Sequence, residues 1–349
     1  VMMLACLKLG LIYSIFDPKS PFKRLNKIIA KCAPSIIFSE FDTSNLEKNI
    51  FNAEGIEFLS NHNDILLDEI KDYPSENIDI DIGIVTGDDG AYIMFTSGST
   101  GFPKGVLVTH NNLLNFISWA RDEFSIRAGD RATNLNPLYF DNSVFDYYTT
   151  IFNGATLVPF DSEIVKDPHK LIKKIDEYKC NQWFSVPSLL IYINTLRAFN
   201  KDNMKYIKRF IFGGEGYPKL KLKNIYDLYS TGANFYNVYG PTECTCMCSS
   251  YTIKETDFDE LKGFAPLGKI ANNFDYLLLN NNLLVKNGEV GELCLLGPCV
   301  GKGYFNDLEQ TSSAFVQNPL NSSFNQTMYR TGDMLLLNQS DEYLYFIAR

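Results

Sequence analysis

The clearest candidate for chemistry is the run TSGSTGFPKG, which spans residues 96–105. Its glycines allow backbone N–H groups to approach an anion closely, and hydroxyls and the Lys104 amine surround that position. Apolar, strand-like segments flank the run, so it could fold over a polyphosphate. It is not a Walker A loop, because Pro103 and Gly105 stand where that pattern has Gly before the Lys and Ser or Thr after it. A flexible surface linker is the alternative, but such a linker seldom ends in Pro-Lys-Gly between apolar strands.

Two further runs present oxygen atoms at turns. In NVYGPTE (residues 237–243), a strand ends at a Gly-Pro turn, and Thr242 and Glu243 follow. These oxygens suit Mg²⁺, which accompanies nucleotide phosphates and takes one or two protein carboxylates. An ordinary strand-ending turn is the alternative. In YRTGD (residues 329–333), Asp333 follows a tight turn and could accept hydrogen bonds from ribose hydroxyls.

An alternation of strands and helices must position these runs. Residues 91–95 and 106–110 are short apolar segments typical of strands, and residues 111–124 carry apolar side chains at helical intervals. The alternation continues to Gly240. It predicts an α/β core over residues 1–240, with mostly parallel sheets flanked by helices.

Beyond residue 240 the helical signal disappears. Short strands separated by Asn, Gly and Pro turns predict an antiparallel, barrel-like subdomain over residues 241–349. Within it, the Asn run at residues 280–282 suits a hairpin turn.

Composition narrows the class of protein. The 349 residues are 45% hydrophobic and 21% charged, as in globular domains. Lys and Arg number 32 against 41 Asp and Glu, a formal net charge of −9, so we expect no nucleic-acid surface, which would need a basic face. The three histidines are too scattered for a His-based metal centre.

The sequence predicts no membrane or secretory role. The apolar opening, residues 1–16, is interrupted by Lys8, is shorter than the ~20 residues of a spanning helix and lacks the charged start of a signal peptide. The eight cysteines follow no disulfide-framework spacing. We therefore favour reduced thiols and a cytoplasmic location.

Together these motifs resemble one family. TSGSTGFPKG, YGPTE, GEL (residues 291–293) with GKGYFND (residues 301–307), and YRTGD occur in the order and approximate spacing of the adenylate-forming superfamily, and residues 7–25 resemble its early motif. This superfamily includes acyl-CoA synthetases, firefly luciferase and the adenylation domains of nonribosomal peptide synthetases. The resemblance covers essentially the whole chain. It implies an N-terminal α/β core, a distorted antiparallel β-barrel subdomain, and the use of ATP and Mg²⁺.

The branch of the superfamily is indicated by FDNSV, residues 140–144. Amino-acid adenylation domains carry FDxSV here, and the resemblance implies that Asp141 pairs with the substrate α-ammonium group. A carboxylate in an otherwise apolar pocket is costly unless a cation meets it, which favours this interpretation. The alternative is that Asp141 caps the helix that starts near Ser143, although Ser143 could itself be the cap.

The resemblance also assigns roles to individual residues. The nucleotide site comprises Thr96, Ser97, Gly98, Ser99, Thr100, Gly101, Gly213, Gly214, Glu215, Asn237, Tyr239, Gly240, Asp333 and Arg349, with Tyr239 stacking on the adenine. The amino-acid pocket comprises Asp141, Asn142, Phe145, Ser185, Ile211, Gly213, Val238, Cys246 and Met247. The catalytic residues are Lys104, Thr242 and Glu243, and Glu243 is the Mg²⁺ ligand. Because the pocket offers no second strong charge, we expect a small or medium uncharged amino acid.

The cysteines at 244, 246 and 248 could suggest a metal site. Alternate residues of a strand lie roughly 6.5–7 Å apart. Three such thiolates cannot easily converge on one Zn²⁺, whose sulfur ligands lie at about 2.3 Å. We therefore interpret these cysteines as pocket lining or core packing.

The predicted function is ATP-dependent formation of an aminoacyl-AMP, followed by transfer to the phosphopantetheine thiol of a carrier protein. Lys104 and Mg²⁺ would neutralise the departing pyrophosphate. Two alternatives remain open: an acyl- or aryl-CoA ligase of the same superfamily, and a non-catalytic nucleotide-binding remnant.

Both ends of the chain look cut, so we expect a piece of a larger enzyme. In the superfamily a mobile C-terminal domain begins after a segment ending in Gly-Arg, and Ala348-Arg349 stands in that place. That domain brings a lysine onto the substrate carboxylate. The resemblance implies that the 349-residue chain by itself forms the adenylate slowly.

Overall fold

A computed structural model describes residues 1–39, 50, 55–60, 70–73, 85–96 and 102–349. Its α-helices span Met2–Leu9, Phe22–Cys32, His110–Glu123, Asn142–Val144, Ser162–Val165, Pro168–Glu177, Pro187–Thr195, Lys219–Tyr229 and Leu308–Ala314. A π-helical turn, Phe145–Thr149, continues from Asn142–Val144, and 3₁₀ turns span Thr242–Cys244 and Glu255–Phe258. None of the helices in these described ranges is both long enough and apolar enough to cross a membrane.

The strands are numbered in chain order. They are β1 (Tyr13–Ser14), β2 (Ile36–Ser39), β3 (Glu57–Ser60), β4 (Gly90–Thr96), β5 (Lys104–Thr109), β6 (Arg131–Asn134), β7 (Thr156–Pro159), β8 (Gln182–Ser185), β9 (Arg209–Gly213), β10 (Asn234–Tyr239), β11 (Ser249–Thr252), β12 (Lys269–Ile270), β13 (Asp275–Asn280), β14 (Leu283–Leu284), β15 (Val290–Leu296), β16 (Phe315–Gln317), β17 (Thr327–Leu337) and β18 (Leu344–Ala348).

The central sheet has seven strands in the order β12-β11-β10-β9-β8-β6-β7. The five strands from β10 to β7 are parallel to one another. Every residue of β8 and β9 is buried, as expected where helices cover both faces of a parallel sheet. The predicted α/β architecture is therefore confirmed.

The central sheet continues past residue 240. Thr245 and Cys246 have φ of 58° and 76°, a left-handed conformation that turns the chain back on itself. Strand β11 then pairs antiparallel with β10, and β12 extends the sheet edge. The boundary predicted at residue 240 thus falls inside the central sheet. A second sheet, which is antiparallel throughout, begins only at β13.

The second antiparallel sheet has the order β14-β13-β15-β17-β16, and β18 also pairs with β17. The β13–β14 hairpin turns at Asn281 and Asn282, which have φ of 50° and 65°, so the hairpin predicted there is confirmed. The expectation that helices end at Gly240 is wrong, because Leu308–Ala314 is helical. Asp307 caps that helix by accepting a hydrogen bond from the Gln310 N–H at 3.1 Å.

A third sheet, β1-β4-β5, carries the end of the glycine-rich run. The segment after β15 is fastened to β5 by main-chain hydrogen bonds: the Leu107 N–H donates to the Gly303 carbonyl at 3.0 Å, and the Phe305 N–H donates to the Gly105 carbonyl at 2.7 Å. After β5, the predicted helix begins with Thr109 as its cap, and Asn112 completes a capping box. The pairing places residue 304 beside the start of β5.

Candidate active site

A cavity of about 1390 Å³ lies where the carboxyl ends of β8, β9 and β10 meet the second antiparallel sheet. Ligands of α/β proteins bind at this edge of the sheet. Most of the predicted site residues lie on its wall: Thr96, Lys104, Asp141, Asn142, Gly213, Gly214, Glu215, Asn237, Val238, Tyr239, Gly240, Thr242, Glu243, Cys246, Met247, Asp333 and Arg349.

Other predicted residues do not lie on this wall. Ser97, Gly98, Ser99, Thr100 and Gly101 lie outside the described residues. Phe145, Ser185 and Ile211 are buried in the protein interior at 0, 1 and 0% exposure. Phe145 lies behind the wall, with its ring 5.0 Å from that of Phe184, which does line the cavity. The Ser185 hydroxyl accepts a hydrogen bond from the indole N–H of Trp183 at 2.8 Å.

Asp141 makes no capping hydrogen bond to the helix that follows it. Ser143 is not the cap either, since its hydroxyl donates to the Phe140 carbonyl at 2.7 Å. The Asp141 carboxylate instead accepts a hydrogen bond from the Thr242 hydroxyl. Burial raises the pKa of Asp141 to about 6, the Thr242 hydrogen bond opposes that rise, and the charge of Glu243 adds to it. The carboxylate is thus held on the cavity wall, and no cationic side chain in the described part of the chain pairs with it.

Tyr304 contacts both Lys104 and Glu243. The Tyr304 hydroxyl donates to Glu243 Oε1 at 2.6 Å, and Lys104 Nζ lies 4.9 Å above the centre of the Tyr304 ring. Because this hydrogen bond uses Oε1, Oε2 is the oxygen that Glu243 has left for a cation. A positive and a negative side chain therefore face one end of the cavity.

Tyr239 and Asp333 lie together at another part of the wall. The Tyr239 hydroxyl donates to Asp333 Oδ2 at 2.5 Å, and the Arg349 guanidinium Nε lies 3.5 Å from Asp333 Oδ1. A flat ring next to a carboxylate can meet a base and the hydroxyls of its ribose. The Asn237 side chain, by contrast, donates to the Pro266 carbonyl at 2.8 Å.

Two glycines allow the backbone to pass close to its neighbours. A Cβ on Gly213 would lie 2.4 Å from the Val238 carbonyl oxygen, and one on Gly240 would lie 2.5 Å from Met247 Cα. Neither position accepts a side chain without a shift of the backbone. The absence of a side chain lets Gly213 lie against Val238 of β10 and lets Gly240 lie against Met247 at the cavity.

The three alternate cysteines have no metal-binding arrangement. All eight cysteines are free, and burial raises the pKa of Cys244, Cys246 and Cys248 well above that of an exposed thiol. In the described part of the chain, no group of three or more His, Cys, Asp or Glu side chains is arranged to hold a metal ion. Cys246 lines the cavity, whereas Cys244 and Cys248 pack in the core.

Comparison with known proteins identifies the family. The model of the AMP-binding enzyme family matches residues 1–305. The chain belongs to this family. The D-alanine–D-alanyl carrier protein ligase of Listeria monocytogenes serovar 1/2a is 32% identical over 351 residues, covering 100% of the chain and 66% of the relative. A dimodular nonribosomal peptide synthase of Bacillus subtilis is 32% identical over 348 residues, covering 99% of the chain and 14% of the synthase.

Solved structures share the fold of this AMP-binding enzyme. The N-terminal subdomain of Klebsiella oxytoca NpsA, in complex with 3-hydroxybenzoyl-AMSN, has a TM-score of 0.82 at 19% identity, covering 100% of the chain and 83% of that structure. The nonribosomal peptide synthetase FmoA3 has a TM-score of 0.83 at 24% identity, covering 99% and 35%. The predicted fold class is thus confirmed. The chain spans 65–66% of the length of the Listeria ligases.

Sequence reasoning assigned no role to Tyr304 in this AMP-binding enzyme, although the residue lies in the quoted run GKGYFND. Glu292 and Arg330 also line the cavity, and they form an ion pair with Nη1 3.0 Å from Oε2. Both belong to quoted motifs, GEL and YRTGD. Membership in these motifs could have marked Glu292 and Arg330 as site residues. That they contact each other follows only from the pairing of β15 with β17.

Proposed function

We propose that this chain uses ATP to activate an amino acid as an aminoacyl-AMP, which then reacts with the phosphopantetheine thiol of a carrier protein. The observation that carries the proposal is the Asp141 carboxylate, which lies on the cavity wall, makes no capping hydrogen bond and has no cationic partner among the described residues. A carboxylate in this position is costly unless a positive group approaches it, as an α-ammonium group would. An acyl or aryl acid offers no such group.

In the proposed reaction, a carboxylate oxygen of the amino acid bonds to the α-phosphorus of ATP. The bond from that phosphorus to the bridging oxygen breaks, and pyrophosphate leaves with its electron pair. Lys104 faces the charge that builds on this leaving group. Glu243 would hold Mg²⁺, which supplies positive charge beside the phosphates when bound. Tyr239 and Asp333 hold the adenine and the ribose.

In the second step, the carrier thiol loses its proton to solvent and its sulfur bonds to the carbonyl carbon of the adenylate. The bond from that carbon to the phosphate oxygen breaks, and AMP leaves with the electron pair. The names of the relatives support both the carrier protein and the amino acid, since they include D-alanine–D-alanyl carrier protein ligases and a nonribosomal peptide synthase. Apart from Glu243 at the phosphate end, the side chains that line the cavity with Asp141 include the uncharged Val238, Cys246 and Met247. We therefore place D-alanine first among the small amino acids to be tested. The eight free cysteines fit a cytoplasmic reaction.

A comparison of non-hydrolysable adenylate analogues tests this proposal. Sulfamoyl-adenosine carrying D-alanyl, L-alanyl, acetyl or 3-hydroxybenzoyl groups would be titrated into the protein by calorimetry. We expect the alanyl compounds to bind at least about tenfold more tightly than the acetyl compound, because only they offer an ammonium group. Tighter binding of the 3-hydroxybenzoyl compound would favour an aryl ligase. Binding of ATP with no preference among the four would favour a non-catalytic nucleotide-binding protein.

The phosphate end of the site gives a second prediction. Glu243→Gln should make ATP binding depend on about tenfold more Mg²⁺, because a carboxylate ligand is lost. Tyr304→Phe keeps the ring beneath Lys104 but removes the hydrogen bond that orients Glu243, so a several-fold rise is expected. ATP affinity measured across a Mg²⁺ titration would check both variants.

A matched control is Tyr206→Phe, at an exposed tyrosine that also has a lysine above its ring. We expect its Mg²⁺ dependence to equal that of the unmodified protein. An unchanged Mg²⁺ requirement in Glu243→Gln would contradict the assignment of Glu243 as the Mg²⁺ ligand.

A further inference from the structure

A bulge in β17 carries Asp333 to the cavity. Glu292 of β15 pairs with Met334 of β17, and the next pair is Cys294 with Arg330. Residues 331–333 therefore lie opposite the single residue Leu293, two more than a regular antiparallel ladder would place there. Such extra residues lose their ladder hydrogen bonds, so other groups must hold them in place.

Glu292 supplies most of this support. Its Oε1 accepts a hydrogen bond from the Gly332 N–H at 3.2 Å, and its Oε2 accepts one from Arg330 Nη1 at 3.0 Å. Gly332 has a φ of +72°, which glycine adopts without strain. Within the bulge, the Thr331 hydroxyl donates to the Leu293 carbonyl at 2.8 Å and accepts the Asp333 N–H at 3.0 Å. The Glu292 carboxylate therefore binds both Gly332 within the bulge and Arg330 at its edge.

Both Glu292 oxygens accept hydrogen bonds, one from Arg330 and one from Gly332. The Asp333 carboxylate lies on the cavity wall, where Oδ2 accepts from the Tyr239 hydroxyl and Oδ1 lies 3.5 Å from the Arg349 guanidinium. Loss of Glu292 would leave the Gly332 N–H without this acceptor and remove the anionic partner of Arg330. The bulge would then have fewer contacts to fix the direction of the Asp333 side chain. A charge-assisted pair of this kind contributes more than a neutral hydrogen bond.

We propose that Glu292 is a positioning residue, which fixes the β17 bulge so that Asp333 can accept hydrogen bonds from the ribose hydroxyls of the nucleotide. This inference rests on the proposed function, because it requires a nucleotide with its ribose at Asp333. The glutamate of the GEL run would then support the nucleotide site as well as forming part of β15. Because both Glu292 oxygens bond to Arg330 and Gly332, its proposed role is to position Asp333 and not to bind the nucleotide directly.

The test compares ATP with 2′,3′-dideoxy-ATP, which lacks the two hydroxyls. Calorimetry at fixed Mg²⁺ gives the ratio of the two affinities for each variant of the full chain. In the unmodified protein we expect a preference for ATP of about tenfold or more, and Asp333→Ala should abolish it. Glu292→Ala should remove most of this preference while leaving the affinity for dideoxy-ATP within about twofold. The double variant should lose no more than Asp333→Ala alone.

Glu292→Gln provides a conservative comparison, because its amide oxygen can still accept from Gly332 while the charge beside Arg330 is gone. We expect an intermediate preference for ATP, and this variant keeps the test decisive where Glu292→Ala does not fold. Glu342→Ala, at an exposed glutamate near the β17–β18 turn, should match the unmodified protein. An unchanged preference in both Glu292 variants, or an equal loss for both nucleotides, would overturn the inference. If the unmodified protein binds ATP without any preference for the hydroxyls, the ribose role of Asp333 is wrong as well. If it does not bind ATP at all, the proposed function itself fails.

Discussion

Asp141→Asn should weaken binding of an alanyl sulfamoyl-adenosine by about a hundredfold while changing ATP affinity by less than about twofold. The variant keeps the shape of the side chain and an oxygen that can accept the Thr242 hydroxyl. It removes the charge that would meet the ammonium group, and a buried ammonium without its partner costs on the order of 3 kcal/mol. Calorimetry with the analogue and with ATP measures both affinities in one preparation.

The same residue predicts how binding depends on pH. Burial raises the pKa of Asp141 to about 6, so the carboxyl gains a proton as the pH falls through that value and can no longer attract a cation. Analogue affinity should therefore decrease below about pH 6 in the unmodified protein and stay nearly constant in Asp141→Asn. A decrease of the same size in both proteins would assign the pH effect to another group.

The Asp141 contribution to the free energy of unfolding should increase as the pH falls, whereas its contribution to analogue binding should decrease. A raised carboxyl pKa means that the folded protein holds the proton more tightly than the unfolded chain. The Asp141 contribution is therefore lost as the pH rises from the ordinary value of 3.8 to about 6, and it stays lost above that. Without ligand, Asp141→Asn should be more resistant to urea than the unmodified protein near neutral pH. On the proposed function, this destabilising charge is present because it binds the ammonium group of the substrate.

Asp146→Asn is a suitable control. Asp146 is buried in the same helical segment, its pKa is raised to about 7 by burial, and it accepts hydrogen bonds from Asn134 at 3.1 Å and Asn136 at 2.9 Å. It does not lie on the cavity wall. The control should therefore bind the analogue as the unmodified protein does. Equal weakening in both variants would indicate that helix packing, rather than the Asp141 charge, explains the loss.

The motifs and their family resemblance predicted many residues of the cavity wall, but not every contact between them. Tyr304 reaches Glu243 because the segment around residue 304 pairs with β5, and such pairing between distant segments has no local signal. The boundary at residue 240 was misplaced for a similar reason. The composition changes there, yet the turn at Thr245 and Cys246 returns the chain to the edge of the central sheet.

The predicted pocket residues away from the wall show a second limit. Side chains alternate between the two faces of a strand, so Phe184 faces the cavity while Ser185 faces the opposite side with Trp183. On β9, Ile211 and Gly213 share a face, but only Gly213 at the strand end reaches the opening. A linear motif indicates which strand carries a residue. Whether that residue reaches the cavity depends on how far it lies from the end of the strand.

Lys104→Ala should lower the rate of pyrophosphate exchange into ATP by about 10²–10³-fold relative to the unmodified protein, while ATP affinity falls only a few-fold. Lys104 is the first residue of β5, and its amine lies above the ring of Tyr304, whose hydroxyl donates to Glu243. In the proposed reaction, this charge would face the negative charge that grows on the leaving pyrophosphate. Mg²⁺ and backbone N–H groups still hold the ground-state phosphates, so the loss falls mainly on the transition state.

Lys302→Ala separates this effect from a general loss of positive charge. Lys302 lies on the segment paired with β5, but it is exposed, its amine is 3.9 Å from Asp88, and it does not line the cavity. Exchange in this control should equal that of the unmodified protein. If Lys104→Ala weakened ATP binding and exchange by the same factor, Lys104 would act in ground-state binding only. If exchange did not change at all, the charge facing the leaving group would have to come from elsewhere, and the proposed role of the Lys104–Tyr304–Glu243 arrangement would be wrong.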